Sequence, residues 1–475
     1  MRIGRRSGDR HRPEARNHAR SIGRGMADHR GEPDWRSAVD LPLIVFVTAT
    51  VLSLVRSTDQ PGFSLDLAGS EVDFVLADAA LAVLAAICVH RLLGRGTLPR
   101  PARGLAAAAA AFSVWLFVSS AANGADAVIA AVKLIEYGVL ALGFVLFVRS
   151  RLQLWAVVTV LVAFTVAAAG YGLLAFFDAP FVESRFPTRR QPSFVGEHDL
   201  AALSTMTLAL GLAALFTPGH RLGRLPLVAG IAGSVGVVLG AALAGLLGLY
   251  LAAGAIVAAA IARGAATKRA VGVTAAATVG ITIGVLALRS GDLGAFLRSL
   301  GIGERRDDPF GNAASWNERL IDAYVGGRIF LENPILGTGW HGLLPPDEYV
   351  HFIDDARARF PDQPASYFPA EDGFIPQQTY DQVLYELGIV GALLFLVLAV
   401  VIVRAAVRVA RAWPRDDPDE PAAYLPAAWV AALAGGLAGA ALFGGIPLAA
   451  IFWLTIGVTA LAPSLAPPAP GPNPA

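Results

Sequence analysis

Arg185, Arg189 and Arg190 stand in a 21-residue polar segment, DAPFVESRFPTRRQPSFVGEH, between two apolar runs. A guanidinium is a planar fork that grips phosphate or carboxylate through two parallel hydrogen bonds, so three of them point to an anionic ligand. Pairing with Asp178, Glu183, Glu197 and Asp199 nearby is the competing reading. Other ionisable groups lie inside apolar runs. Lys133 and Glu136 are three apart and can pair on one helix face, Tyr137 follows them, and Asp78 has no partner in its own run. Glu386 stands one and a half turns into another run, and an ionisable group at that depth is either functional or paired with an arginine. No GxxxxGK loop, HExxH pair, CxxC pair or GxSxG elbow occurs, which excludes the usual ATPase, zinc protease and serine hydrolase designs.

The elements that position these groups follow from hydropathy. Hydrophobic residues make up 55% of the chain and charged residues 16%, whereas a soluble domain carries about a quarter charged. The apolar runs are continuous rather than alternating, which selects membrane helices over a β-barrel. The fold class expected is an all-α polytopic membrane protein with about 12 transmembrane helices and one large periplasmic loop containing short helices. The spans fall at 41–55, 73–93, 105–121, 125–148, 153–177, 199–216, 225–242, 243–263, 269–288, 384–407, 423–442 and 445–462. The split at 242 rests on Gly240-Ala-Ala-Leu-Ala-Gly245 acting as a tight turn.

Residues 1–39, with ten arginines and five acids, read as a disordered basic cytoplasmic tail rather than a cleaved signal. Residues 40–288 would hold helices 1–9, 289–383 the large loop, 384–462 helices 10–12, and 463–475 a Pro-rich cytoplasmic tail. Loops 90–103, 149–151, 217–224, 263–269 and 404–421 each carry two or more basic residues, while 56–72, 122–126 and 442–445 carry only Arg56. The asymmetry places both termini in the cytoplasm. The segments 178–198 and 289–383 are arginine-rich on the opposite face. The net charge of +1 gives no reason to expect a nucleic-acid partner, and Cys88, alone, forms no internal disulfide.

Within the large loop, Ser315-Trp-Asn-Glu318 has the form of a capping box, Gly326-Gly327 should loosen the helix that follows, and Pro334 should end it. PILGTGWHG (334–342) is a glycine-spaced turn, 343–375 a partly ordered lid, and Pro376 suits the first turn of the last long helix.

Arg319 and Arg328, NPILGTGWHG (Asn333–Gly342) and QQTYDQVLYELGIVG (Gln377–Gly391) around a variable loop, together with RRQPSFVGEHDLAAL (Arg189–Leu203), resemble the O-antigen ligase and polymerase superfamily over about residues 40–462. The resemblance implies a metal-independent, cofactor-free, inverting glycosyltransferase of the bacterial cytoplasmic membrane, active on the periplasmic face. Its donor would be a glycan on undecaprenyl diphosphate. Its acceptor would be lipid A–core in a ligase or a lipid-linked repeat in a polymerase, and other polysaccharide assembly proteins would be its partners. The chain departs from the family in two places. It has Gln377-Gln378 where members carry His-Asn, and Gly240–Gly245 where they carry Ser-Arg. The base and one diphosphate ligand must then come from elsewhere, or the acceptor differs, or the chain is a non-catalytic component.

Outside the cytoplasm the energy for transfer must lie in the donor's own sugar–diphosphate bond. Breaking it needs cations for the leaving group, a base for the acceptor hydroxyl and an apolar groove for the lipid. On this reading Arg185, Arg189, Arg190, Arg319 and Arg328 bind the diphosphate, and His198 or His341 is the base. His351 is a further outer histidine, and Gln377, Tyr380, Asp381 and Glu386 bind glycan or acceptor. Arg319 and Arg328 are nine apart and share a face only if their helix kinks. A lipid-linked sugar flippase is the rival from another class, but it should show internal repeats, and none is evident.

Overall fold

A computed structural model describes residues 39–67, 70–95, 98–177, 179, 194–289, 313–369, 378–439 and 447–466. The tail 1–38, Arg185, Arg189, Arg190 and Gln377 lie outside the described residues.

From Leu41 onward the described residues are mostly helical. The helices are α1 (Leu41–Ser53), α2 (Leu76–Arg95), α3 (Arg100–Ala121), α4 (Ala125–Glu136), α5 (Gly138–Phe147), α6 (Arg151–Phe176), α7 (Glu197–Ala214), α8 (Leu225–Gly240), α9 (Leu243–Ala262) and α10 (Lys268–Leu288). They continue with α11 (Ala313–Glu332), α12 (Pro346–Arg359), α13 (Thr379–Ala412), α14 (Leu425–Leu437) and α15 (Pro447–Leu465). Among the described residues, eight helical segments are long and apolar enough to cross a membrane, counting Ala125–Phe147 as one. Leu41–Ser53, His198–Ala214, Leu225–Gly240 and Leu425–Leu437 are apolar but shorter, so by length alone the structure supports eight crossings of the twelve expected.

Local chemistry sets several boundaries. Ser150 Oγ accepts from the Gln153 amide and Gln153 Oε1 accepts from the Ser150 amide, a capping box that starts α6. Thr267 caps α10 in the same way through the Ala270 amide. Ala241, at φ 46°, separates α8 from α9 at the expected turn. The two helices then diverge: α8 lies on α7, and α9 lies on α14. Small residues allow this closeness. A Cβ on Gly233 would stand 2.6 Å from the Ser204 carbonyl, and one on Gly435 would stand 2.1 Å from the Gly248 amide.

The described residues are mostly helical, as expected, with differences confined to the connections. Gly62–Leu67 (β1) and Ser70–Val75 (β2) pair antiparallel as a hairpin in what was expected to be a plain loop. Phe63 and Phe74 stack directly across it. In α11 the helix already begins at Ala313, so Ser315 lies inside its first turn instead of capping it. It also runs unbroken through Gly326-Gly327, because Ile321, Val325 and Ile329 are buried against Tyr349, Phe352 and Ile353 of α12. That burial outweighs the roughly 1 kcal/mol helix penalty of each glycine. The expected lid 343–375 contains α12 and a 3-10 turn at Ala365–Tyr367.

At one end of the helices, four of the basic loops converge. Arg151 reaches Asp417 at 3.0 Å, Arg221 reaches Asp419 at 2.6 Å, and Arg263 bonds Glu420. These three acids share the 414–424 connection, so loops 149–151, 217–224, 263–269 and 404–421 lie on a common side.

Candidate functional site

The two glycine-bearing motifs meet in space. α13 is broken at Gly388, whose φ of 64° and ψ of −171° suit only glycine. The break takes the carbonyls of residues 385–387 out of the regular i→i−4 ladder, and new donors fill them. Thr338 N–H donates to the Tyr385 carbonyl at 3.1 Å and Gly339 N–H to the Glu386 carbonyl at 2.8 Å. The Trp115 indole donates to the Leu387 carbonyl at 2.9 Å. In return Ile389 N–H donates to the Pro334 carbonyl at 2.8 Å. Helix α3 closes the third side: Ser119 Oγ donates to the Leu336 carbonyl at 2.6 Å, and Trp340 N–H donates to Ser120 Oγ at 3.0 Å. The glycines are steric requirements of this junction. A Cβ on Gly337 would stand 2.3 Å from the Glu386 carbonyl oxygen, and one on Gly388 would stand 2.2 Å from that of Ile335.

The side chains at the junction form a polar cluster. Glu386, 2% exposed, accepts from the His341 amide at 3.1 Å and from Gln382 Nε2 at 3.2 Å, while its other oxygen accepts from the Tyr385 hydroxyl at 3.2 Å. His341 sits in the left-handed region at φ 52°, with its Nε2 3.5 Å from Gln382 Nε2. Burial pushes its imidazole down to about 4, so the ring is neutral at physiological pH.

Asp322 of α11 and Asp381 of α13 are both under 10% exposed and close enough for the Asp381 charge to act on Asp322. Burial and the charges of Glu318 and Asp381 push the Asp322 carboxyl up to about 7, against the opposing pull of Arg319. Asp381 Oδ1 accepts from the Gln382 amide at 3.0 Å. Asp381 Oδ2, Gln378 Oε1 and Arg319 Nε are buried without a hydrogen-bond partner among the described residues. Unpaired buried polar atoms each cost about 1–3 kcal/mol, so these three are positions that a polar ligand could satisfy.

The structure therefore gathers Arg319, His341, Tyr380, Asp381 and Glu386, and adds Asp322, Gln378 and Gln382, which sequence reasoning did not single out. Tyr380 stands at the rim, 62% exposed. A helical reading of α11 could have found Asp322, since it lies three residues from Arg319 on the same face. Arg328 is directed elsewhere. On a straight helix, nine residues turn it to the opposite face from Arg319, and it pairs with Asp355 of α12 at 2.9 Å. His198 is on α7, which packs on α8, α14 and α9. His351 is an exposed residue of α12.

Asp78, expected without a partner in its own helix, bonds Lys133 of α4 at 2.6 Å, and Lys133 also lies 3.6 Å from Glu136. The Phe74 ring of the hairpin covers the ammonium at 5.2 Å. This triad ties α2, α4 and the hairpin together, as a structural pairing would.

Below the junction an apolar crevice of about 310 Å³ runs between α3, α5 and α15, lined by Leu105, Ala109, Val139, Leu142, Trp453 and Ala460. Its upper limit on α3 is Ser113, six residues and about 9 Å along the helix from Ser119 of the junction. No family model matches the chain, and no curated protein matches it.

Proposed function

We propose that this chain is a membrane glycosyltransferase that moves a glycan from a polyprenyl diphosphate carrier to a saccharide or lipid acceptor. The observation that supports this reading is the junction of the Asn333–Gly342 turn with the Gly388 break, where buried polar atoms lack partners among the described residues, on the same helix α3 that lines an apolar crevice farther along. A lipid-linked sugar requires that juxtaposition: a polar chamber for the sugar and its leaving group, and an apolar channel for the chain. The crevice suits the isoprenoid tail.

Arg319, with its unpartnered Nε at the pocket, is the cation that stabilises the departing diphosphate. Arg185, Arg189 and Arg190 are the further cations this reading assigns to the diphosphate. Arg328 is a weaker choice, because Asp355 already holds it. Gln377, Gln378, Tyr380 and Asp381 bind the acceptor or the glycan. Attack by the acceptor oxygen on the anomeric carbon, opposite the diphosphate, inverts the configuration there. Glu386 is the anchor of the turn, since three donors occupy it.

On this reading the chain makes twelve crossings, with both termini in the cytoplasm. The convergence of four basic loops at one end supports that topology, and the pocket then faces the periplasm across a bacterial inner membrane. A repeat-unit polymerase would use the same groups with a lipid-linked acceptor.

The test is a reconstitution of the full chain in nanodiscs with a defined polyprenyl diphosphate-linked oligosaccharide. Release of polyprenyl diphosphate together with glycan transfer supports the assignment. Unchanged donor in the presence of core oligosaccharide, lipid-linked repeats and simple saccharides would refute it.

A further inference from the structure

We propose that Asp322 is the general base that takes the proton of the acceptor hydroxyl. This rests on the glycosyltransferase reading and assigns a role that neither histidine fills. Four groups at the junction could accept a proton, and their surroundings separate them. His341 is held near 4 by burial, which leaves its neutral ring a feeble base. Glu386 has both carboxylate oxygens occupied, one by the Tyr385 hydroxyl and the other by the His341 amide and Gln382. Asp381 spends one oxygen on the Gln382 amide. Asp322 is 7% exposed and, among the described residues, hydrogen-bonds to none of the other three.

The surroundings of Asp322 also require a ligand. Among the described residues, Arg319 Nε, Gln378 Oε1 and Asp381 Oδ2 are buried without a hydrogen-bond partner, and an acceptor sugar can donate to the two oxygens while the guanidinium takes the leaving diphosphate. An acceptor hydroxyl seated there lies between a carboxylate and the cation that binds the leaving group, as an in-line displacement requires.

The step balances. The acceptor O–H proton passes to the Asp322 carboxylate, and the acceptor oxygen forms its bond to the anomeric carbon. The bond from that carbon to the diphosphate oxygen breaks, and its electron pair leaves with the polyprenyl diphosphate. The proton on Asp322 then returns to solvent.

The charged groups facing Asp322 are few. Its own helix brings Glu318 and Arg319, and α13 brings Asp381, with Tyr380 at the rim. From α12, Asp355 is held by Arg328 and Tyr324, and Tyr349 packs against Tyr385; Tyr367 closes the 3-10 turn side. Glu318, Asp381 and burial together place the Asp322 titration near 7. A base must be ionised to act, so transfer should fall as pH drops below about 7.

The experiment is the pH profile of glycan transfer by the full chain in nanodiscs, wild type beside Asp322→Asn and Asp322→Glu. Donor binding is followed in parallel by the donor-induced rise in melting temperature. We expect an acid limb centred near 7 in the wild type. Asp322→Asn should lose about 10²–10⁴-fold in rate with donor binding intact, the range for loss of a general base. Asp322→Glu should recover part of the rate with a displaced limb.

If wild type transfers and Asp322→Asn loses less than about tenfold, or keeps the same acid limb, the assignment of Asp322 falls and the transferase reading stands. If Asp322→Asn loses donor binding with its rate, Asp322 is a binding or structural group and the proposal is overturned. Should Asp322→Asn fail to fold, an unshifted limb in Asp322→Glu overturns it equally. If the wild-type chain itself transfers nothing, the transferase reading falls and Asp322 with it.

Discussion

The amide of His341 donates to Glu386 Oε2 at 3.1 Å, so the last residues of the glycine turn are fastened to the first turns of α13 through one carboxylate. The same carboxylate accepts from Gln382 and Tyr385, which makes it the knot of the junction. Glu386→Ala should leave three donors without their acceptor. With each unsatisfied buried donor costing about 1–3 kcal/mol, a total loss of roughly 3 kcal/mol or more is expected. Glu386→Gln, which keeps one carbonyl acceptor, should lose less. Unfolding by SDS titration in mixed micelles gives both values, and equal losses would mean that the hydrogen bonds are not what the residue supplies.

Gly388 and Gly327 offer a matched pair of alanine substitutions. At Gly388, φ is 64° and the added Cβ would lie 2.2 Å from the Ile335 carbonyl, so the turn must move away from α13. Gly388→Ala should cost more than the 1–3 kcal/mol of backbone strain alone and should abolish transfer. At Gly327 the helix is regular and an added Cβ meets nothing within 4 Å, so Gly327→Ala should stabilise by about 0.4–1 kcal/mol. Melting temperatures moving in the same direction for the two variants would contradict this account.

The sequence disclosed these positions unevenly. The apolar runs located the helices because a spanning segment must be continuously hydrophobic, and most of each of the twelve stretches is helix among the described residues. The Asn333–Gly342 and Gln377–Gly391 motifs marked the site, but not that their glycines serve one another. That depends on a carbonyl freed at residue 386 finding an amide at residue 339, a contact across 47 residues. Asp322 was passed over because its meaning lies in Asp381 on another helix. The hairpin at Gly62–Val75 was missed because its alternation is short and lies between two stronger helical signals. The ion pair of Arg328 was not foreseen, since its partner Asp355 stands in a stretch that read as a partly ordered lid.

At the far end of the helices, Asp419 is 1% exposed and accepts from Arg221 at 2.6 Å and from the Trp155 indole at 2.8 Å, with Arg151 at 3.4 Å. Asp419 is buried although Arg221 is 55% exposed, so removing the carboxylate strands the Trp155 indole and Arg151 more than Arg221. Asp419→Ala should therefore cost about 1–3 kcal/mol. The loss should be only partly screened by salt, because the carboxylate itself is buried. Donor affinity in the variant that remains folded should match wild type, since no part of the pocket is involved. A stability loss that vanishes in high salt would show that these contacts are exposed.

His341 links the pocket to acid stability, and the sign follows from its burial. The folded imidazole titrates near 4, whereas an unfolded histidine titrates near 6.5. Between those values the unfolded chain binds the proton and the folded chain does not, so stability rises with pH across the window. The contribution of this one group is complete above about 6.5, falls away as pH drops from there toward 4, and amounts to on the order of 3 kcal/mol. His341→Asn removes the titrating ring while keeping a residue that tolerates the left-handed backbone at φ 52°. The variant should therefore start with lower or equal stability at pH 7.5 and lose less than wild type on acidification to pH 4.5. Melting curves of both proteins at half-unit intervals from pH 4.5 to 7.5 measure the difference, and parallel pH dependences would place the acid sensitivity in another group.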